Sequence, residues 1–283
     1  MMKNIAMGQY YGTNSLLHAL DPRTKLISSF LFIIVVFFAD NLPTYVLSIG
    51  FCLVLAVMSK IPLRQLLKSL RPLVFIVIFT SFFNIFWTKG TVLLTPEGFF
   101  IKIYLEGLVA ALYMIIRLIS LVMGTLVLIS YTTTPIALTH GIESLLSPLA
   151  KLKVPVHDFA MMMSIALRFI PTLMEETDKI INAQKARGTD FESGGLIKKA
   201  KAFVPIMIPL FVSAFRRADE LATAMEYRCY NSNAGRTRMN VLKFNTRDAL
   251  FLLAVCAYAA LLILTTSGVG VVPFGKILPE ILL

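Results

Sequence analysis

Charge is scarce in this sequence. Of 283 residues only 15% are Asp, Glu, Lys or Arg, against 57% that are hydrophobic, and the mean hydropathy is +0.77. A typical soluble chain is about a quarter charged and roughly 45–50% apolar. A water-soluble globule is therefore excluded, and the bilayer is the natural solvent. Cysteine is scarce too: Cys52, Cys229 and Cys256 lie far apart, leaving neither a disulfide framework nor a metal-ligand spacing. The histidines are only His18, His140 and His157, well separated, and Asp21 and Asp158 have no ligand partners at useful spacing. That argues against an integral-membrane enzyme acting on a lipid or an isoprenoid, which would set paired carboxylates or a histidine cluster at the membrane face. No Gly-x-x-x-x-Gly-Lys-Ser/Thr loop occurs, so the chain does not bind ATP by a P-loop, and any hydrolysis in its service belongs to partners.

Five apolar segments approach the roughly 20 helical residues that a bilayer core requires: 26–39, 44–58, 72–87, 103–130 and 248–266. The first follows a polar leader and ends at Ala39-Asp40-Asn41-Leu42-Pro43 without an Ala-x-Ala-like cleavage site, so it reads as a retained membrane helix. It and the second are short, and the tight connection Asp40–Pro43 predicts a hairpin. The fold class expected is all-α, a polytopic helical membrane protein. A leader and four membrane helices occupy 1–130, a cytoplasmic helical region 131–247, and a last membrane helix with its tail 248–283.

Acidic residues are the minority, 16 against 27 Lys and Arg, for a net charge of +11. Position explains the surplus. Residues 1–25 hold three cations, the loop 60–71 holds four and 131–247 holds sixteen, together 23 of the 27. With five spans, all three segments fall on one face, which the positive-inside rule assigns to the cytoplasm. The N-terminus is then cytoplasmic in a multi-pass membrane protein. A basic balance can also mark nucleic-acid binding, but this charge is dispersed along membrane-adjacent segments. Anionic lipid is the fitting acidic neighbour, and no nucleic acid is expected.

The stretch 131–247 combines its sixteen cations with ten acidic residues and apolar patches too short to span. Phe159–Met174 and Phe203–Phe215 each run on into charged, helix-favouring sequence, so each predicts one long helix, apolar at its start and charged at its end. About thirty residues would reach on the order of 45 Å. Two further spans in a hairpin would leave the topology's parity unchanged, but thirteen or fourteen apolar residues fit interfacial or buried helices better.

The two helices end alike. Aligned on Arg187 and Arg228, Asp178 matches Asp219, Ile180 matches Leu221 and Ala183 matches Ala224, and each has Ile-Pro upstream, at Pro171 and Pro209. A cation in the last turn complements the helix dipole, and Gly188 can take the left-handed conformation that ends a helix. Two equivalent basic knobs also fit a partner with two equivalent sockets.

Ala186-Arg187-Gly188 and Ala224-Met225-Glu226-Tyr227-Arg228-Cys229-Tyr230, with Gly8-Gln9-Tyr10 and Ser15-Leu16-Leu17-His18-Ala19-Leu20-Asp21-Pro22-Arg23-Thr24-Lys25, carry a family resemblance. Over nearly its whole length the chain resembles the transmembrane T-component (EcfT/CbiQ-like) of energy-coupling factor (ECF) transporters. The resemblance implies a non-catalytic scaffold of an ABC-type importer for a vitamin or a metal ion. Two cytoplasmic ABC-type ATPases, which bind ATP and Mg, would receive Ala186, Arg187 and Gly188 and Tyr227, Arg228 and Cys229. Tyr227 and Cys229 depart from the Ala-Arg-Gly of the first ending. This chain itself would hold no cofactor and no metal.

A small membrane S-component that captures the substrate would rest on the helices' apolar surface. Met161, Met162, Met163, Phe169, Met207, Phe211 and Phe215 supply soft, polarizable contacts, with Pro171, Pro205 and Pro209 as kink sites. The alternative expectation is a self-sufficient secondary transporter, which needs an ionisable group near the bilayer midplane; Arg117 is the candidate. An arginine there can equally pair with backbone carbonyls at a helix interface.

Overall fold

Proline and Asx residues fix where the first helices begin. In the computed structural model, Asp21 caps α1 (Pro22–Phe37), its carboxylate accepting from the Arg23 amide, with Pro22 at the position whose missing N–H costs nothing. Asn41 and Thr44 form a reciprocal capping box at α2 (Leu42–Ser59). The remaining helices are α3 (Leu63–Trp87), α4 (Leu105–Thr125), α5 (Pro135–Leu146), α6 (Val156–Ala186), α7 (Leu196–Tyr227) and α8 (Thr246–Ser267). A π-helical segment, Leu126–Tyr131, continues α4, and a short antiparallel strand pair, β1 (Val92–Leu94) and β2 (Ile103–Tyr104), precedes it. The structure describes residues 10–87, 92–94, 103–189, 191, 195–230 and 242–267. Of the residues named in the sequence reading, Gly8 and Gln9 lie outside them.

Two compact units result, one of Gly8–Gly141 with Leu242–Leu283, the other of Ile142–Val241. The first is a helix bundle. Among the described residues four of its helical stretches are long and apolar enough to cross a membrane: Leu42–Ser59, Leu63–Ile85, Gly107–Tyr131 and Thr246–Thr266. These correspond to the second to fifth expected spans. The segment expected as the first is α1, sixteen residues long. It belongs to the same bundle, but the first half of its inner face is polar, with Thr24, Lys25, Ser28 and Ser29 buried, and only the second half, Phe32, Val35 and Val36, is apolar. The connection between α1 and α2 is tight, as the sequence predicts. Yet these helices pack chiefly on α4 and α8 rather than on each other. The centre is a stack of Phe32, Phe51 and Tyr258, with ring centroids 4.1 Å apart for the last two, and Tyr258 donates to Ser48 Oγ at 3.0 Å. Gly124 makes the approach of α4 to α1 possible, since a Cβ there would lie 2.2 Å from the Phe32 ring.

One end of this bundle gathers the start of α1, the end of α2, the end of the π-helical segment and the start of α8. Asp248 joins them: one oxygen accepts from the Asp21 amide at 2.7 Å and the other from the Asn245 amide at 2.9 Å. Lys25 donates to the carbonyl of Thr132 at 2.8 Å, and the Tyr11 amide to that of Tyr131 at 3.0 Å. The last carbonyls of a helix have no intrahelical donors; at the end of this segment the leader and α1 supply them. Burial pulls the Lys25 ammonium down to about 8, against the attraction of Asp248 and Asp21.

In the second unit, α6 and α7 run antiparallel. Met161 meets Tyr230, Glu176 meets Ser213 and Arg217, and Gln184 meets Pro205. Each residue of α6 thus faces a partner on α7 that moves back as α6 moves forward. At 31 and 32 residues these are the two long helices the sequence predicts, and both run unbroken through their prolines. Pro209 removes the donor that would serve the Pro205 carbonyl, and Gln184 Nε2 reaches that carbonyl across the hairpin at 3.5 Å.

Candidate functional site: two arginine-ended helices

The helix endings are alike in three dimensions as in sequence. At α6, Arg187 is the C-cap; the Gly188 amide bonds the Lys185 carbonyl at 3.0 Å and the Thr189 amide that of Gln184 at 3.1 Å. At α7, Arg228 is the C-cap; the Cys229 amide bonds the Glu226 carbonyl at 2.8 Å and the Tyr230 amide that of Met225 at 3.0 Å. Both are Schellman motifs, in which the residue after the cap turns left-handed. Gly188 has φ +85° and Cys229 has φ 53°. Glycine adopts this conformation freely, whereas cysteine adopts it against steric cost.

Arg187 and Arg228 are exposed, as are Ala186, Gly188 and Cys229, and Tyr227 is 84% exposed. Among the described residues neither guanidinium has a side-chain hydrogen bond or ion pair. The antiparallel register puts Arg228 beside the start of α6 and Arg187 beside the early part of α7. The two are separated along the hairpin by about 24 helical residues, roughly 36 Å. The hairpin between them is tied by Glu176, which accepts from Ser213 at 2.5 Å and from Arg217 at 3.2 Å. The Ser213 hydroxyl, then the Arg217 charge, hold the Glu176 carboxyl below its usual range. Where α5 meets α6, His157 Nδ1 bonds the buried Glu143 carboxylate at 2.8 Å.

The apolar residues expected to receive a partner divide into two groups. Met162, Met163, Pro171, Met207, Pro209, Phe211 and Phe215 are exposed; Met161, Phe169 and Pro205 are half-buried within the hairpin. The Met161 sulfur accepts from the Tyr230 hydroxyl at 2.8 Å, and Phe211 and Phe215 touch edge to face at 4.6 Å. Sequence reasoning passed over Val204, Ile208 and Val212, which are also exposed. Their spacing of four continues the stripe through Phe211 and Phe215, and that periodicity was the available signal.

Arg117 is engaged inside the bundle. Its Nη2 donates to the Ala39 carbonyl at 2.5 Å, to Tyr45 at 2.8 Å and to Asp40 at 3.2 Å. It therefore clamps the connection between α1 and α2, the carbonyl-bound reading of the two the sequence allowed.

Fold and site define a polytopic helical membrane protein that carries a charged helical hairpin with an arginine at either end that is unpaired among the described residues. A profile of the family described as CbiQ, cobalt transport protein, matches residues 13–239. The chain is 54% identical over 250 residues to the energy-coupling factor transporter transmembrane protein EcfT of Ruminiclostridium cellulolyticum, covering 88% of this chain and 92% of that one. It is 48% identical over 262 residues to EcfT of Bacillus subtilis, covering 93% and 98%. The chain belongs to the CbiQ/EcfT family, the transmembrane T-components of energy-coupling factor transporters.

Proposed function

We propose that this chain is the coupling subunit of an ABC-type importer. Arg187 and Arg228 each dock into one of two cytoplasmic ATPases, and the exposed apolar stripe of α6 and α7 carries a small membrane S-component that captures a vitamin or a metal ion. ATP and Mg are bound and hydrolysed by the partners, in the plasma membrane of a prokaryote. The observation that carries this reading is the pair of equivalent endings: two exposed arginines, unpaired among the described residues, on helix stops of the same type at opposite ends of one hairpin. A guanidinium offers five donors in a rigid fork, so it can fix a direction as well as a position in a pocket of carboxylates and carbonyls. A hairpin held by the Glu176 tie then works as a lever. Closure of the ATPases would displace its two ends and tilt the apolar stripe beneath the S-component.

The test is co-purification. Arg187→Glu with Arg228→Glu should abolish recovery of the ATPases with the tagged chain, and either substitution alone should lower it partly. Full recovery together with full uptake in the double variant would overturn the proposal.

A further inference from the structure

At the end of the bundle where the leader meets α2 and α8 lies a cavity of about 700 Å³. Its charged lining is Lys60 and Arg247, and no carboxylate contributes to it. His18 also faces it, with its ring engaged on both nitrogens: Nε2 donates to the Tyr11 carbonyl at 2.8 Å, and Nδ1 bonds Ser15 Oγ at 2.7 Å. These bonds hold the leader wall in place. Thr13 Oγ1 fastens that wall to the end of α2 through the Ser59 carbonyl, at 3.2 Å. Neither Lys60 nor Arg247 has a hydrogen bond or an ion pair among the described residues, so the cavity holds two uncompensated positive charges.

Lys60 stands in the left-handed region at φ 55°, where the C-cap of α2 favours glycine or asparagine. A side chain kept at such a place calls for a use. Lys60 follows directly on the apolar stretch Leu42–Ser59, and Arg247 lies in the first turn of Thr246–Thr266, so both cations flank candidate spans at the same end. From Lys60 an exposed apolar stripe descends α2 through Val57, Leu53, Ile49 and Val46 at helical spacing. A cationic pocket opening onto a bare apolar stripe has the form of a headgroup and its acyl chain. We infer that this cavity binds the phosphate of an anionic glycerophospholipid, whose chain lies along the α2 stripe.

Phosphate-bearing anions from water share the same chemistry, and the experiment separates the two sources. The full chain, purified in detergent and stripped of lipid, is titrated by native mass spectrometry with phosphatidylglycerol, phosphatidylcholine or inorganic phosphate. Phosphatidylglycerol should bind in preference to phosphatidylcholine, and excess inorganic phosphate should fail to displace it. Lys60→Gly with Arg247→Gln should weaken phosphatidylglycerol roughly thirtyfold, at about one cation's surface attraction each. Glycine suits the Lys60 backbone, so this variant keeps the fold; Lys151→Gln with Lys153→Gln, matched in charge, should bind as the parent does. Equal binding of the two lipids, displacement by phosphate, or an unchanged Lys60→Gly/Arg247→Gln variant would overturn the inference.

Discussion

The sharpest residue-scale contrast lies between Gly188 and Cys229, which do the same backbone work with different side chains. A Cβ at Gly188 would meet no neighbour within 4 Å, so the whole cost of Gly188→Ala is conformational, roughly 1–2 kcal/mol for a left-handed non-glycine residue. Cys229 already bears that strain at φ 53°, and Cys229→Gly should release about 1 kcal/mol of it, less the entropy glycine loses on folding. Hydrogen exchange at the two helix ends checks both. Exchange should quicken at Gly188 and Thr189 in Gly188→Ala and slow at Cys229 and Tyr230 in Cys229→Gly. If the residues contribute through their side chains, the directions will not oppose one another. Arg187 and Gly188 were legible in sequence as a helix stop. The matching role of Cys229 was not, because nothing in its chemistry announces a positive φ; only the alignment of the two arginines placed it.

Helix packing in the bundle depends on pairs the hydropathy pattern does not show. Gly124 lies against the fully buried Phe32 ring, so Gly124→Ala should destabilise the bundle by about 1–3 kcal/mol through overpacking. Adding Phe32→Leu should recover part of the loss, read as the thermal midpoint in detergent; no recovery would place the clash elsewhere. The buried end of α1 gives a pH signature. Lys25 titrates near pH 8 in the folded chain against its ordinary 10.5 because burial disfavours its charge. Between those values the unfolded chain binds the extra proton, so stability rises with pH across that window, by about 3 kcal/mol at most. Below pH 8 both states are protonated, and this group adds no further dependence. Lys25→Gln should flatten the rise from pH 8 to 10, measured as the difference in thermal midpoint from the parent. The apolar lengths of α2, α3, α4 and α8 could be read from composition, as could the long α6 and α7. The polar first half of α1's inner face could not, because its Lys25 is held by the Thr132 carbonyl at the end of the π-helical segment, some 107 residues away in sequence.

At the scale of the whole molecule, the surplus of positive charge and the order of the helices make the same demand. The start of α1, the turn from α2 to α3, the end of the π-helical segment and the start of α8 share one end of the bundle, while the turn from α1 to α2 at Asp40 lies at the other. Arg23, Lys25, Lys60, Arg64, Lys68 and Arg247 all belong to the first end. The positive-inside rule predicts a cytoplasmic orientation for that end, and the proposed docking of ATPases at Arg187 and Arg228 calls for the same one. Single cysteines introduced at Asp40 and at Arg64, with Cys52, Cys229 and Cys256 replaced, give an independent readout. Asp40 is largely exposed, and without it Arg117 keeps the Ala39 carbonyl and the Tyr45 hydroxyl, so Asp40→Cys costs little stability. A membrane-impermeant maleimide on intact cells should label Asp40→Cys directly and Arg64→Cys only after permeabilisation. A chain retaining Cys229 as its single cysteine, exposed beside Arg228, should label as Arg64→Cys does, and should lose that labelling when the ATPases are co-expressed. Labelling of Arg64→Cys from outside would reverse the orientation and remove the cytoplasmic ATPases as partners of this hairpin. Cys229 labelled equally with and without them would leave the orientation standing and move the docking surface away from Arg228.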